Sequence, residues 1–120
     1  MRRAANRMGI RLGAVWLLAS ALFWLSGARP VRADQELVLT IRNHEFDPRE
    51  VRAKAGEKIV LTVLNSDAAP EEFESASLNR EQLIRPGHTV TIRLPALKPG
   101  RYEFYGEFNP KTATGLLIVE

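Results

Sequence analysis

From Glu36 onward the chain alternates with a period of two. Leu37, Leu39 and Ile41 fall on one side of a strand, and Val38, Thr40 and Arg42 on the other. A second extended run follows Pro48 through Val51 and Ala53, and Gly56 then turns the chain into EKIVLTVLN. There Ile59, Leu61 and Val63 alternate with Val60, Thr62 and Leu64, so the strand is apolar on both faces and is expected at the centre of its sheet. NSDAAP, from Asn65 to Pro70, is a cluster of turn formers, and EEFES after it is short and extended. SLNREQLI reads equally as a single helical turn or an irregular crossover. Beyond Arg85-Pro86-Gly87, Val90, Ile92 and Leu94 alternate with Thr91 and Arg93. Pro99-Gly100 turns into RYEFYGE, and Thr114 to Val119 closes the chain. Turn signals recurring about every 8 to 12 residues, with no helical stripe, predict an all-β fold: an antiparallel Greek-key sandwich of about seven strands.

The first 33 residues follow a different rule. Arg2, Arg3, Arg7 and Arg11 precede an uncharged stretch from Leu12 to Ala28, and small residues at Val31 and Ala33 suit cleavage before Asp34. This pattern predicts an exported, periplasmic protein with a signal peptide over 1–33 and one domain over 34–120. The uncharged stretch is 17 residues, shorter than the roughly 20 that a spanning helix needs. Ala4, Ala5 and Asn6 after the arginine pair argue against a twin-arginine route.

Charge changes sign with the leader. The whole chain has 17 basic and 14 acidic residues. All six charges in 1–33 are arginines, so 34–120 keeps 11 basic against 14 acidic and carries about −3. No basic stripe remains to bind nucleic acid. The chain has no cysteine, which excludes a lipid-modified cysteine anchor, a thiol nucleophile, an iron–sulfur cluster and a thiolate-ligated copper.

Four stretches carry a resemblance: F-x-P at Phe46–Pro48, A-G-x-x-I at Ala55–Ile59, N-x-D-x-x-P at Asn65–Pro70 and L-K-P-G-x-Y-x-F at Leu97–Phe104. In this order and spacing they resemble a cupredoxin over essentially all of 34–120. PEEFES (Pro70–Ser75), LNRE (Leu78–Glu81) and YEFYGEFNPKTATG are similar to the small cupredoxin-like proteins that accompany bacterial high-affinity ferrous-iron permeases. The resemblance places the blue-copper ligand positions at Glu71, Gly106, Asn109 and Leu116, none of which keeps its ligand. A type 1 copper site is therefore not expected, because it needs a thiolate.

Strand parity still gathers some of these places. If Phe73 faces the core, Glu71 shares its face; if Tyr102 and Phe104 do, Gly106 does too. Glu71 then reads either as an oxygen ligand for iron or copper(II), or as a carboxylate satisfied by Arg80, Arg85 or backbone N–H groups. Glu72 and Glu74 should point away from Phe73 onto a solvated face. Glu107 is a candidate to join Glu71 or Glu72 in an acidic cation cluster, or simply keeps its loop soluble. His44 precedes the F-x-P element, where the iron-permease resemblance implies a histidine, and is a further candidate metal ligand; His88 reads as surface. Tyr102 fits a tyrosine corner, and Phe104, Tyr105 and Phe108 are expected to pack.

No hydrolase trio or phosphate loop is present. The resemblance implies a periplasmic accessory protein of ferrous-iron uptake, partnered by a membrane iron permease or associated periplasmic proteins. It would bind iron or copper(II), or help to oxidise and deliver it. The alternative is a metal-free sandwich that docks a partner in a transport complex, with Phe108 as its apolar anchor. A third reading, ferroxidase activity in its own right, needs a redox metal held mainly by His44 and carboxylates.

Overall fold

Two sheets close face to face, each built from strands that alternate buried and exposed side chains. The structure is a computed structural model that describes residues 33–120 and Gly27; apart from Gly27 and Ala33, the expected leader lies outside the described residues. The first five strands are β1 (Gln35–Arg42), β2 (Glu45–Asp47), β3 (Glu50–Ala53), β4 (Ile59–Asn65) and β5 (Glu71–Ser75). They are followed by β6 (Arg80–Ile84), β7 (Thr89–Leu94), β8 (Gly100–Gly106) and β9 (Thr114–Val119). One sheet runs β2-β1-β4-β7 and the other β3-β9-β8-β5-β6. The all-β sandwich is as expected, with nine strands among the described residues rather than about seven.

The additional strands have local causes. Asn43 and His44 take positive φ values of 52° and 60°, a left-handed pair that reverses β1 directly into β2. Asp67 stabilises this reversal by accepting the Asn43 N–H at 2.7 Å and the His44 N–H at 2.9 Å. SLNREQLI is neither a helical turn nor a crossover: Asn79, at φ 53°, turns the chain so that β6 pairs antiparallel with β5. Two pairings, β1 with β4 and β3 with β9, are parallel, because the chain changes sheet between their members.

Strand β4 lies inside its sheet as its doubly apolar pattern predicts, with Ile59, Leu61 and Val63 buried opposite Leu94, Ile92 and Val90 of β7. Three aromatic rings join the sheets near one end. Phe104 stacks on Phe73 at 5.2 Å and meets the edge of Phe46 at 5.0 Å. Gly115, directly opposite Phe104 in the β8–β9 ladder, makes room for that ring, since a Cβ there would sit inside it. The Tyr102 hydroxyl donates to the Lys98 carbonyl at 2.8 Å, the expected corner that fixes the entry to β8.

Gly115→Ala should lower unfolding stability by about 1–3 kcal/mol through overpacking, and Tyr102→Phe by about 1 kcal/mol through the lost hydrogen bond. Urea titration reads both effects. An unchanged Gly115→Ala midpoint would contradict the packing described.

Candidate functional site

The first residue of β5 and the last residue of β8 meet at one end of the second sheet, as parity anticipated. Glu71 is 1% exposed, and its carboxylate is fully engaged by N–H donors. Oε1 accepts the N–H groups of Glu72 and Phe108, each at 2.9 Å. Oε2 accepts the Asn109 side-chain amide at 2.7 Å. Of the two sequence readings of Glu71, this geometry is that of the satisfied carboxylate. Its partners are backbone and amide, not Arg80 or Arg85; Arg80 instead donates to the carbonyls of Leu78, Asn79 and Arg93.

Gly106 follows from the same packing. A Cβ at this position would come within 2.6 Å of the Glu71 carboxyl carbon and 2.8 Å of the Ala113 Cβ. The space a ligating side chain at Gly106 would need is filled by Glu71, and Asn109 is committed to it. The donor set therefore does not fit a type 1 copper: no thiolate exists and an ionic carboxylate occupies the entry. Leu116 is not part of this cluster. It alternates with buried Leu117 and pairs with exposed Glu103 on the outer face; the small residue beside Gly106 is Ala113, fully buried.

Loop 106–113 is tied to itself as well. Gly106 N–H donates to the Ala113 carbonyl at 2.8 Å, and Ala113 N–H to the Asn109 carbonyl at 2.8 Å. Glu107 N–H reaches across to the Glu72 carbonyl at 2.9 Å, pinning the loop to β5. Phe108 does not pack as expected: its ring stands 49% exposed while its backbone serves Glu71.

Carboxylates that leave the core gather on the outer face of the same sheet. Glu72, Glu74 and Glu81 each offer an oxygen, and these lie within 4.8 Å of one another. The pairing explains it: Glu74 is directly opposite Glu81, and Glu72 shares the Glu74 face two residues away. Glu72 is held above the usual carboxylate range, first by a hydrogen bond with Glu81, then by partial burial and by the charges of Glu81, Glu74 and Glu107. Partial burial raises Glu74, helped by Glu81 and Glu107. Tyr105 is raised too, mainly by burial and then by the charges of Glu107 and Glu74. The Glu107 charge helps to raise the proton affinity of Glu72, as the smallest of the causes acting there.

Four residues were singled out from the sequence as metal candidates: Glu71, Glu72, Glu107 and His44. Among the described residues, the group close enough to share an ion contains only Glu72 of these, with Glu74 and Glu81 added. His44 is 51% exposed in its tight turn, its Nδ1 3.7 Å from Asp67 Oδ2, and neither histidine joins the carboxylate group. His88 Nδ1 faces the Pro86 carbonyl at 2.9 Å. Glu81 was missed because its segment did not read as a strand. The signal was the E-x-E of EEFES beside a second acidic residue one hairpin later.

A family model described as a cupredoxin-like domain matches residues 15–119. The chain belongs to the cupredoxin-like domain family. An uncharacterised protein of Rickettsia prowazekii (strain Madrid E) is 43% identical over 84 residues, which span 70% of this chain and 67% of that protein. Auracyanin A, a blue copper protein of Chloroflexus aurantiacus, superposes with a TM-score of 0.64 at 14% identity, covering 73% of this chain and all of its own. The metal-binding domain of the Cu(I)-exporting P-type ATPase CopA of Streptococcus pneumoniae D39 does so with a TM-score of 0.63 at 16% identity, covering 71% of this chain and 84% of that domain. At such identities these likenesses establish the cupredoxin fold alone.

Raised carboxylates bind protons more tightly in the folded than in the unfolded state. Their contribution therefore favours folding at acidic pH, and is lost as pH rises from the ordinary value of 4.5 through the raised range. Glu81→Gln should flatten this part of the pH–stability curve and raise the melting temperature at neutral pH. A thermal-unfolding series across pH checks it, and a curve identical to wild type would contradict the coupling. Separately, Gly106→Ala should cost about 1–3 kcal/mol by crowding the Glu71 carboxylate.

Proposed function

We propose that this chain is an exported cupredoxin-like accessory protein of ferrous-iron uptake. It takes a cation on the outer face of its second sheet instead of at a buried copper site. The observation that carries the reading is the convergence of Glu72, Glu74 and Glu81 within 4.8 Å. Glu72, first through its hydrogen bond with Glu81, and Glu74, first through partial burial, hold their protons more tightly than free carboxylates, and neighbouring charges add to both shifts, which a bound cation would offset. All-oxygen donors suit hard cations such as iron(III), and iron(II) as cargo, better than Cu(I). The likeness of PEEFES, LNRE and YEFYGEFNPKTATG to the permease-associated proteins supports iron as that cargo and a membrane iron permease, or its periplasmic partners, as the recipient. Copper(II) competes on the same oxygens, since it stands above iron(II) in intrinsic affinity for such sites, so selectivity would come from availability.

Calorimetry of the purified protein with iron(II), iron(III) and copper(II) tests this reading. Micromolar binding that falls about tenfold or more in Glu72→Gln and in Glu81→Gln is the expected result. No binding at micromolar concentrations overturns it. Oxygen uptake with ferrous iron tests the ferroxidase reading separately: a rate above that of buffer that Glu72→Gln abolishes supports it, and a rate equal to buffer excludes it.

One observation favours the metal-free docking module as a second reading: Phe108 stands half-exposed on a loop that hydrogen bonds to Glu71 hold in place. That reading expects Phe108→Ala to abolish retention on permease-containing membranes while cation titrations of the wild type stay flat.

A further inference from the structure

The side-chain contacts that join the closing loop to β5 converge on one buried carboxylate, that of Glu71. Two of the three donors to the Glu71 carboxylate, the Phe108 N–H and the Asn109 amide, come from loop 106–113. The third, from Glu72, belongs to the strand that carries the outer carboxylates. A Cβ at position 106 would clash with this carboxylate, so Gly106 leaves room for it, and the Glu107 N–H is carried to the Glu72 carbonyl by the same loop. The cupredoxin ligands implied by the fold do not fit here, and beyond the Phe73–Gly106 strand pairing it is the Glu71 carboxylate that joins β5 to the loop after β8.

We infer that Glu71 is an internal clamp that stands in for a metal. It holds loop 106–113 closed, and through Asn109 and Phe108 it fixes Glu107 next to β5, where its N–H meets the Glu72 carbonyl. Glu71 and Asn109 are positioning residues, and the strength of the outer site depends on them although they do not contact its ion. That dependence rests on the cation reading above, whereas the clamp does not. The chemistry favours a carboxylate here because both of its oxygens accept, and every partner the structure presents to it is a donor. A glutamine in its place would turn an N–H₂ group toward either the Asn109 amide or the paired backbone donors.

The decisive variant is Asn109→Ala, which removes one donor while leaving Glu71 its two backbone bonds, so the fold survives. In metal-free protein, amide exchange at Glu107 and Phe108 should speed up about 5- to 30-fold, while exchange at Leu39 and Val63 in the first sheet stays unchanged. Glu71→Gln should produce the same local pattern. With cation present, Asn109→Ala should weaken binding about tenfold, and should add nothing further in a Glu107→Gln background. Unchanged exchange at Glu107 and Phe108 would overturn the clamp. An Asn109→Ala loss just as large without the Glu107 charge would overturn the positioning of Glu107. A wild-type protein that binds no cation would remove the reading of the preceding subsection instead, and the exchange data would still decide the clamp.

Discussion

A carboxylate buried to 1% exposure has to be met by donors, and in this protein that requirement organises one whole end of the sandwich. Breaking such an arrangement by removing one side leaves an uncompensated buried charge or orphaned N–H groups, at a cost of several kcal/mol. The chain meets Glu71 with two backbone N–H groups and one amide, and no buried side-chain polar atom among the described residues is left without a partner. Each neighbouring residue type follows. Position 106 has to be glycine-sized, because the carboxyl carbon would lie 2.6 Å from any Cβ there. Position 109 has to offer a donor, which an amide does and an aspartate does not. Residues 107 and 108 must turn their N–H groups toward β5, and this throws their side chains outward.

The clamp works because the strands beneath it are rigid. Phe73 lies two residues after Glu71 and Phe104 two residues before Gly106, so the stacked pair sets the distance between the strands that bring carboxylate and glycine together. Gly115 lets the Phe104 ring lie flat against β9, and the Tyr102 hydroxyl fixes the start of the same strand. At the neighbouring turn, Asn65 plays the corresponding part for the loop that leads into β5. Its amide donates to the Ala69 and Ile84 carbonyls, and its oxygen accepts the Asp67 N–H. Asp67 in turn holds the β1–β2 reversal. Polar side chains buried at strand ends thus do for this end of the molecule what apolar packing does for its middle.

Period-two patterning was enough to recover the sandwich, the central place of β4 and the convergence of Glu71 with Gly106, because burial on one face enforces alternation. It failed where strands are short or exposed. In β6, only Ile84 is buried, so the segment shows no alternation to read. In β2, the reversal depends on left-handed Asn43 and His44, a conformation that composition alone does not announce. Missing β6 hid the acidic cluster, since Glu81 meets Glu74 only through that ladder. The placing of Leu116 at the buried end failed for a related reason. Counting along a loop does not reveal that loop 106–113 has already brought Ala113 beside Gly106 before β9 begins.

Parity also explains why the same short segment carries two kinds of carboxylate. In EEFES, Glu71 points inward to a neutral cage of N–H donors, while Glu72 and Glu74 sit one step away on the outer face. Inside, low polarisability favours one charge fully met by fixed dipoles, and there is no soft ligand to justify admitting a metal. Outside, three carboxylates lie within 4.8 Å of one another, and hydrogen bonding to Glu81, partial burial and neighbouring charges raise the proton affinity of Glu72, as partial burial and charge do for Glu74. Replacing the ligands of a cupredoxin end with a carboxylate, a glycine and an amide therefore does more than erase a copper site. It turns the interior into a self-sufficient lock and leaves Glu72, Glu74 and Glu81 clustered on the outer face of β5 and β6.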